Sequence, residues 1–157
     1  GKTDGILDQS IFAKVILDEK KGPPPEINLF NEKNNGETVL KLIKEKLALS
    51  VHDVSLGGIM VGVLKMCIAG SKGIKFIKFR DLINIYQYFF SEDQGRYIIE
   101  IDKNNLKKVE SIFKKNSVHF DLLGETTDKE IIINDEPTFT VDMVTEFYKS
   151  WLYKYMS

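Results

Sequence analysis

Cysteine is nearly absent: Cys67 is the only one among 157 residues, so no intrachain disulfide can form and the chain suits a reducing compartment. Histidine is almost as scarce. His52 and His119 are far apart in sequence and have no Cys or His neighbour at ligand spacing, which argues against a zinc site. Long apolar runs are missing too. The longest, Ile59 to Ala69, is too short for a membrane span and carries Lys65. The first residues lack the basic flank and apolar core of a secretory signal. Charge of one sign is also lacking: the formal net charge is -1 and lysines mix with Asp and Glu, so no basic field attracts nucleic acid or anionic lipid. These absences read as a soluble, cytoplasmic protein with no nucleic-acid and no membrane partner.

Catalytic signatures are sparse as well. No serine sits in a nucleophile-elbow pattern, and Cys67 lies in too apolar a run to look activated. Gly1-Lys2-Thr3 copies only the end of a phosphate-binding P-loop, and Gly5 disfavours the helix that should follow.

What is present suffices for one ordinary core, with 43% of the residues apolar and 29% charged. Ile11, Phe12, Val15 and Ile16 recur at helical spacing within Gln9 to Glu19. Lys20-Lys21-Gly22-Pro23-Pro24-Pro25 then forms a stiff, non-helical connector, the best boundary in the chain. Beyond it the periodicity predicts a helix over Ile27 to Leu47, with a weak spot at Asn34-Asn35-Gly36, then a buried strand at Val51 to Val54. A helix apolar nearly all round, Ile59 to Ala69, belongs against a sheet. Strands are predicted at Gly73 to Phe79, Arg96 to Ile101, Val118 to Leu123 and Glu130 to Asn134, and helices at Leu106 to Lys115 and Val141 to Tyr155 with Thr140 as cap. Lysines at 41, 44, 46, 107, 108, 114 and 115 read as solvated helix faces, while Met143, Phe147, Trp151 and Tyr155 form a docking stripe. The fold class is α/β, a sandwich with a mixed sheet and partial ferredoxin-like character.

Two stretches could carry chemistry. In SVHDVSLGGIMVGVL (residues 50 to 64) Asp53, Ser55, Gly57 and Gly58 stand at a strand-to-helix junction, and the paired glycines suggest a positive φ or a close approach to the main chain: by a phosphate, which free amides and the positive helix end suit, by a neighbouring strand, or by nothing more than a tight turn capped by Ser55. The spacing of GGIMVG does not fit the dinucleotide fingerprint. In FFSEDQGRY (residues 89 to 97) Glu92, Gln94 and Arg96 could recognise a phosphate, an amide or a neighbouring domain through directional hydrogen bonds. A charged hairpin turn ending at Gly95 is the alternative.

LDQSIFAKVIL, GPPPEINLFNEKNNGETVLKLIKEKLALSVHDVSLGGIMVGVLKMCIAG, FFSEDQGRYIIEI and the terminal FTVDMVTEFYKSWLYKYM together resemble the end of the phosphoribosylformylglycinamidine synthase subunit II family, in the family's order and over essentially the whole chain. The resemblance implies an AIR-synthetase C-terminal-domain-like fold at 23–157, preceded at 1–22 by the trailing helix of an ATP-grasping domain. It implies a part in purine biosynthesis: ATP activates formylglycinamide ribonucleotide and glutamine-derived ammonia displaces phosphate to give the amidine. ATP and magnesium would act in the full-length enzyme, whose catalytic residues and principal metal ligands lie in earlier domains, so no catalytic or metal residue is expected here. The partners implied are the remaining domains, a glutamine amidotransferase subunit and a small accessory subunit.

Residue by residue, Asp53, Val54, Ser55, Gly57 and Gly58 match the family's Asp-Val-Ser-Asp-Gly-Gly, and Glu92, Gln94, Gly95 and Arg96 match its Ser-Glu-x-Gln-Gly-Arg. Leu56 stands where the family commonly has aspartate, Lys65 where it has glutamate, and Asp8 where it has glycine. Losing two acidic groups weakens any case for magnesium at this loop, because hard cations need oxygen ligands. A non-catalytic phosphate-binding or regulatory module, or another ATP-dependent member of the superfamily, is the competing expectation. The first twenty residues, having lost their covering domain, are expected to be disordered or packed on a second copy.

Overall fold

The computed structural model describes residues 1–19, 21–77 and 84–156. Lys20 of the connector and residues 78 and 79 of the strand expected over Gly73 to Phe79 lie outside them. In chain order the elements are α1 (Ile11–Ile16), α2 (Leu29–Lys44), β1 (Ala48–Asp53), α3 (Gly58–Gly70), β2 (Gly73–Phe76), α4 (Ile85–Phe90), β3 (Tyr97–Ile101), a 3-10 turn (Lys103–Asn105), α5 (Leu106–Lys115), β4 (Gly124–Thr127), β5 (Glu130–Ile133), β6 (Glu136–Thr140) and α6 (Val141–Met156). No helix among the described residues is long and apolar enough to cross a membrane. The chain divides into two compact units, the first taking residues 1–63 and 84–121 of those described, the second 64–77 and 122–156.

In the first unit β1 and β3 pair antiparallel, with His52 opposite Ile98 and Asp53 opposite Tyr97. The bond from the Val54 amide to the Arg96 carbonyl, 2.9 Å, carries the pairing one step further. The core beside this ladder is Leu42, Leu47 and Val109, joined by Ala48, Ile99, Ile101, Ile112 and Phe113. Helical periodicity places these residues: Leu42 ends the buried row of α2, and Val109 is the inward residue of α5.

Helix α2 does not break at Asn34-Asn35-Gly36. Asn34 Nδ2 donates to the Asn116 carbonyl at 2.6 Å and Asn35 Nδ2 to the Gly95 carbonyl at 3.0 Å, so both amides serve loops that would otherwise leave carbonyls unpaired. Tertiary demand here overrides helix propensity.

Residues 1–19 also belong to the first unit, against the expectation that they are disordered, while Ile11, Val15 and Ile16 of the expected stripe are exposed. Ser10 is 1% exposed; its hydroxyl caps α1 by accepting from the Ala13 amide at 3.1 Å, and it donates to the Leu7 carbonyl at 2.5 Å. Phe12 stacks on Phe90, with ring centroids 4.9 Å apart. Ser10→Ala should therefore lower unfolding stability by ~0.5–2 kcal/mol, the range for a lost N-cap, as read from a urea transition.

The second unit contains the mixed sheet, in the order β4-β2-β5-β6. Strand β2 is antiparallel to β4 and parallel to β5, and β5 turns back into β6 through Asn134 and Asp135, both at positive φ. Paired positive φ values are what a two-residue hairpin turn needs to match strand twist. The α/β class with a mixed sheet is thus found as the sequence implies.

One expected strand is absent. Val118 to Leu123 forms no ladder, and pairing begins only at Gly124, opposite Phe76. Residues 118–120 instead close onto α5, through the bond from the Val118 amide to the Phe113 carbonyl and the Phe113–Phe120 ring contact. The terminal helix starts where expected, with the Met143 amide bonded to Thr140 Oγ1 at 3.3 Å, and its four-residue stripe of Met143, Phe147, Trp151 and Tyr155 is exposed.

Candidate functional site

The candidate residues of both suspect stretches lie in the first unit, and they meet. Leaving β1, the chain turns through Val54 to Gly57 and enters α3 at Gly58. The two glycines are at φ 83 and 68, a region costly for any residue with a Cβ. Space forbids a side chain as well. A Cβ on Gly58 would lie 2.5 Å from the carbonyl oxygens of Phe89 and Ser91, and one on Gly57 would meet Val61 Cγ2. What approaches the Gly58 main chain is therefore the end of α4.

The second stretch supplies the contact. Glu92 Oε1 accepts from the Gly57 amide at 2.8 Å and from the Ile11 amide, the first of α1, at 2.9 Å. The Gly58 amide donates to the Ser55 carbonyl at 3.0 Å. An anion seeking the Gly57 amide would have to displace Glu92. Asp53, Ser55 and Leu56 are exposed, as is Gln94, whose Nε2 lies 3.4 Å from the Glu92 carbonyl.

Arg96 sits on the inside. It is 3% exposed, with Nε donating to the Asp93 carbonyl, Nη1 to Thr3 Oγ1 and Nη2 to the Ser91 carbonyl, at 3.1, 3.1 and 2.6 Å. Burial pulls its pKa below the ordinary arginine value, opposed by the nearby Asp93 carboxylate, 3.9 Å away. Asp93 Oδ2 in turn accepts from the Asp4 and Gly5 amides and from Ser91 Oγ, at 3.1, 3.1 and 2.8 Å. Among the described residues Asp93 Oδ1 is buried without a hydrogen-bond partner.

The structure thus brings Gly57, Gly58, Glu92 and Arg96 together and leaves Asp53, Ser55 and Gln94 at the surface. Sequence reasoning missed Thr3, Ser91 and Asp93 as members. Thr3 is disguised by its P-loop look-alike setting, and Asp93 by a polar neighbourhood that reads as a surface turn.

The family model for AIR synthase related protein, C-terminal domain, matches residues 1–134. The chain belongs to this family. Among curated relatives of this AIR-synthase-related domain, phosphoribosylformylglycinamidine synthase subunit PurL of Pelagibacter ubique is 56% identical over 156 residues, 99% of this chain and 21% of the relative. The corresponding subunit of Rhodopseudomonas palustris is 33% identical over the same shares. The chain spans about a fifth of the length of the curated relatives it matches. Solved structures share the fold: Thermotoga maritima PurL complexed with FGAR aligns with a TM-score of 0.65 at 17% identity, covering 76% of this chain and 21% of that one. A structure of PurLQS from the same organism gives 0.65 at 17% identity, covering 85% and 24%.

Proposed function

We propose that this AIR-synthase-related domain is the C-terminal part of a phosphoribosylformylglycinamidine synthase, the ligase that converts formylglycinamide ribonucleotide, ATP and glutamine-derived ammonia to formylglycinamidine ribonucleotide. The observation that carries the reading is 56% identity to a PurL subunit sustained over 99% of the chain. The domain works in the cytoplasm as part of a longer polypeptide. Its proposed partners are that polypeptide's other domains, a glutamine amidotransferase subunit and a small accessory subunit; the fold shared with PurLQS supports the assembly.

Within it, residues 1–22 are the connection that carries the trailing helix of a preceding ATP-grasping domain, and 23–157 the AIR-synthase-related C-terminal domain. Glu92, Asp93 and Arg96 bind that connection through Ile11, Asp4, Gly5 and Thr3, which favours the domain-interface role of the SEDQGR stretch over substrate recognition. A phosphate role for Asp53, Ser55, Gly57 and Gly58 requires Glu92 to leave the Gly57 amide. Magnesium does not suit this loop: between residues 53 and 58 Asp53 is the only carboxylate, and Leu56 is apolar. ATP and magnesium are assigned to the preceding domains.

The test is turnover. The full-length polypeptide should form the amidine from formylglycinamide ribonucleotide, ATP and ammonia, the 157-residue chain alone should show none, and mixing it with the separately produced remainder should restore part of the rate. Product formation by the 157-residue chain above a no-enzyme control, or none by the full-length protein, would sink the reading.

A further inference from the structure

We propose that Glu92 couples docking of the N-terminal segment to the conformation of the glycine turn. A single oxygen, Oε1, holds both the Ile11 amide, 2.9 Å away, and the Gly57 amide, 2.8 Å away. Neither amide has a helical partner of its own, since each stands at a helix start where the i−4 carbonyl is missing. The carboxylate cannot shift to follow one amide without stretching its bond to the other.

Its neighbours give it a fixed base. Asp93 is pinned by Ser91 Oγ and by two amides of the N-terminal segment, and Arg96 closes on the Ser91 and Asp93 carbonyls. Phe12 on Phe90 and Thr3 on Arg96 tie residues 1–19 to the end of α4 beside Gly58, but Glu92 is the side chain bonded at once to the segment and to the Gly57 amide, and by linkage a change at the turn alters docking of α1 by the same factor. A signal of this kind would pass from whatever moves the segment into the first turn of α3.

Amide exchange of the full chain, followed by mass spectrometry over residues 7–14 and 55–63, tests the coupling. Ser10→Ala loosens the first turn of α1 by removing its N-cap, a hydrogen bond in which Glu92 takes no part, and it should speed exchange at the glycine turn by about 5- to 10-fold, the lower range of measured site couplings. The same substitution made in a Glu92→Ala background should leave the turn unchanged. In the reverse direction Gly57→Ala should speed exchange at 11–14 only while Glu92 is present. Glu92→Gln, which keeps an acceptor oxygen but loses the charge, should retain a reduced coupling and decides the matter where Glu92→Ala fails to fold. A turn that ignores Ser10→Ala, or responds to it equally with and without the Glu92 carboxylate, would overturn the proposal.

Discussion

Gly58→Ala is expected to lower the stability of the fold by about 3 kcal/mol or more, placing it among the severe single substitutions. Two costs combine. At φ 68 an L-residue gives up ~1–2 kcal/mol in backbone conformation alone. The new methyl would also sit 2.5 Å from two main-chain oxygens and 2.9 Å from the Phe90 carbonyl carbon, atoms that cannot rotate aside as a side chain can. The end of α4 would have to retreat, taking with it Phe89, which is 2% exposed. Gly70→Ala is the control, since the methyl it adds would have nothing within 4 Å among the described residues, and the position is helical. It should be neutral or stabilising by up to ~1 kcal/mol. Equal urea midpoints for the two variants would refute the close-approach account of Gly58.

Arg96→Met and Asp93→Asn should each cost about 3–5 kcal/mol, the penalty for stranding one member of a buried ion pair. Asp93 is 5% exposed, and no solvent is at hand to neutralise a guanidinium that has lost its counter-charge. The methionine variant in addition orphans the Ser91 and Asp93 carbonyls and Thr3 Oγ1. Because the two side chains serve one network, the double variant should lose clearly less than the sum of the singles. Single losses below about 1 kcal/mol that simply add would mean that the pair contributes little and that its neighbours hold the turn unaided.

Legibility in the sequence followed the range of the interactions involved. Helix α5 reads to the residue as Leu106–Lys115, and α6 starts at Val141 behind Thr140, because periodicity and caps are local signals. Helix α4 does not announce itself: Ile-Tyr-Gln-Tyr-Phe-Phe is aromatic and short, and it is helical because Asn84 caps it and Phe89 is buried. Strand β6 is likewise missed, its pairing with β5 crossed by Pro137 and a register shift. Val118 to Leu123 fails in the opposite sense, with a strand's composition and no ladder.

At the site, the motif residues are visible but their orientation is not. Arg96 in a polar run reads as a donor facing outward, while the structure turns it inward onto Thr3, ninety-three positions away. Long-range partners of that kind leave no mark on local pattern. The glycines show the converse: the sequence signals a close approach at Gly58, by a phosphate or by a neighbouring strand, and the fold reveals that the approaching group is the backbone at the end of α4.

The sole tryptophan of the chain, Trp151, sits on the terminal helix and is 54% exposed. Its indole is already partly hydrated in the native state and lies in the second unit, away in sequence from the Glu92–Arg96 network. Intrinsic tryptophan emission is consequently a reporter of α6 and of whatever comes to cover it. Unfolding of the first unit calls for a different optical handle, such as far-ultraviolet dichroism of α2 and α5.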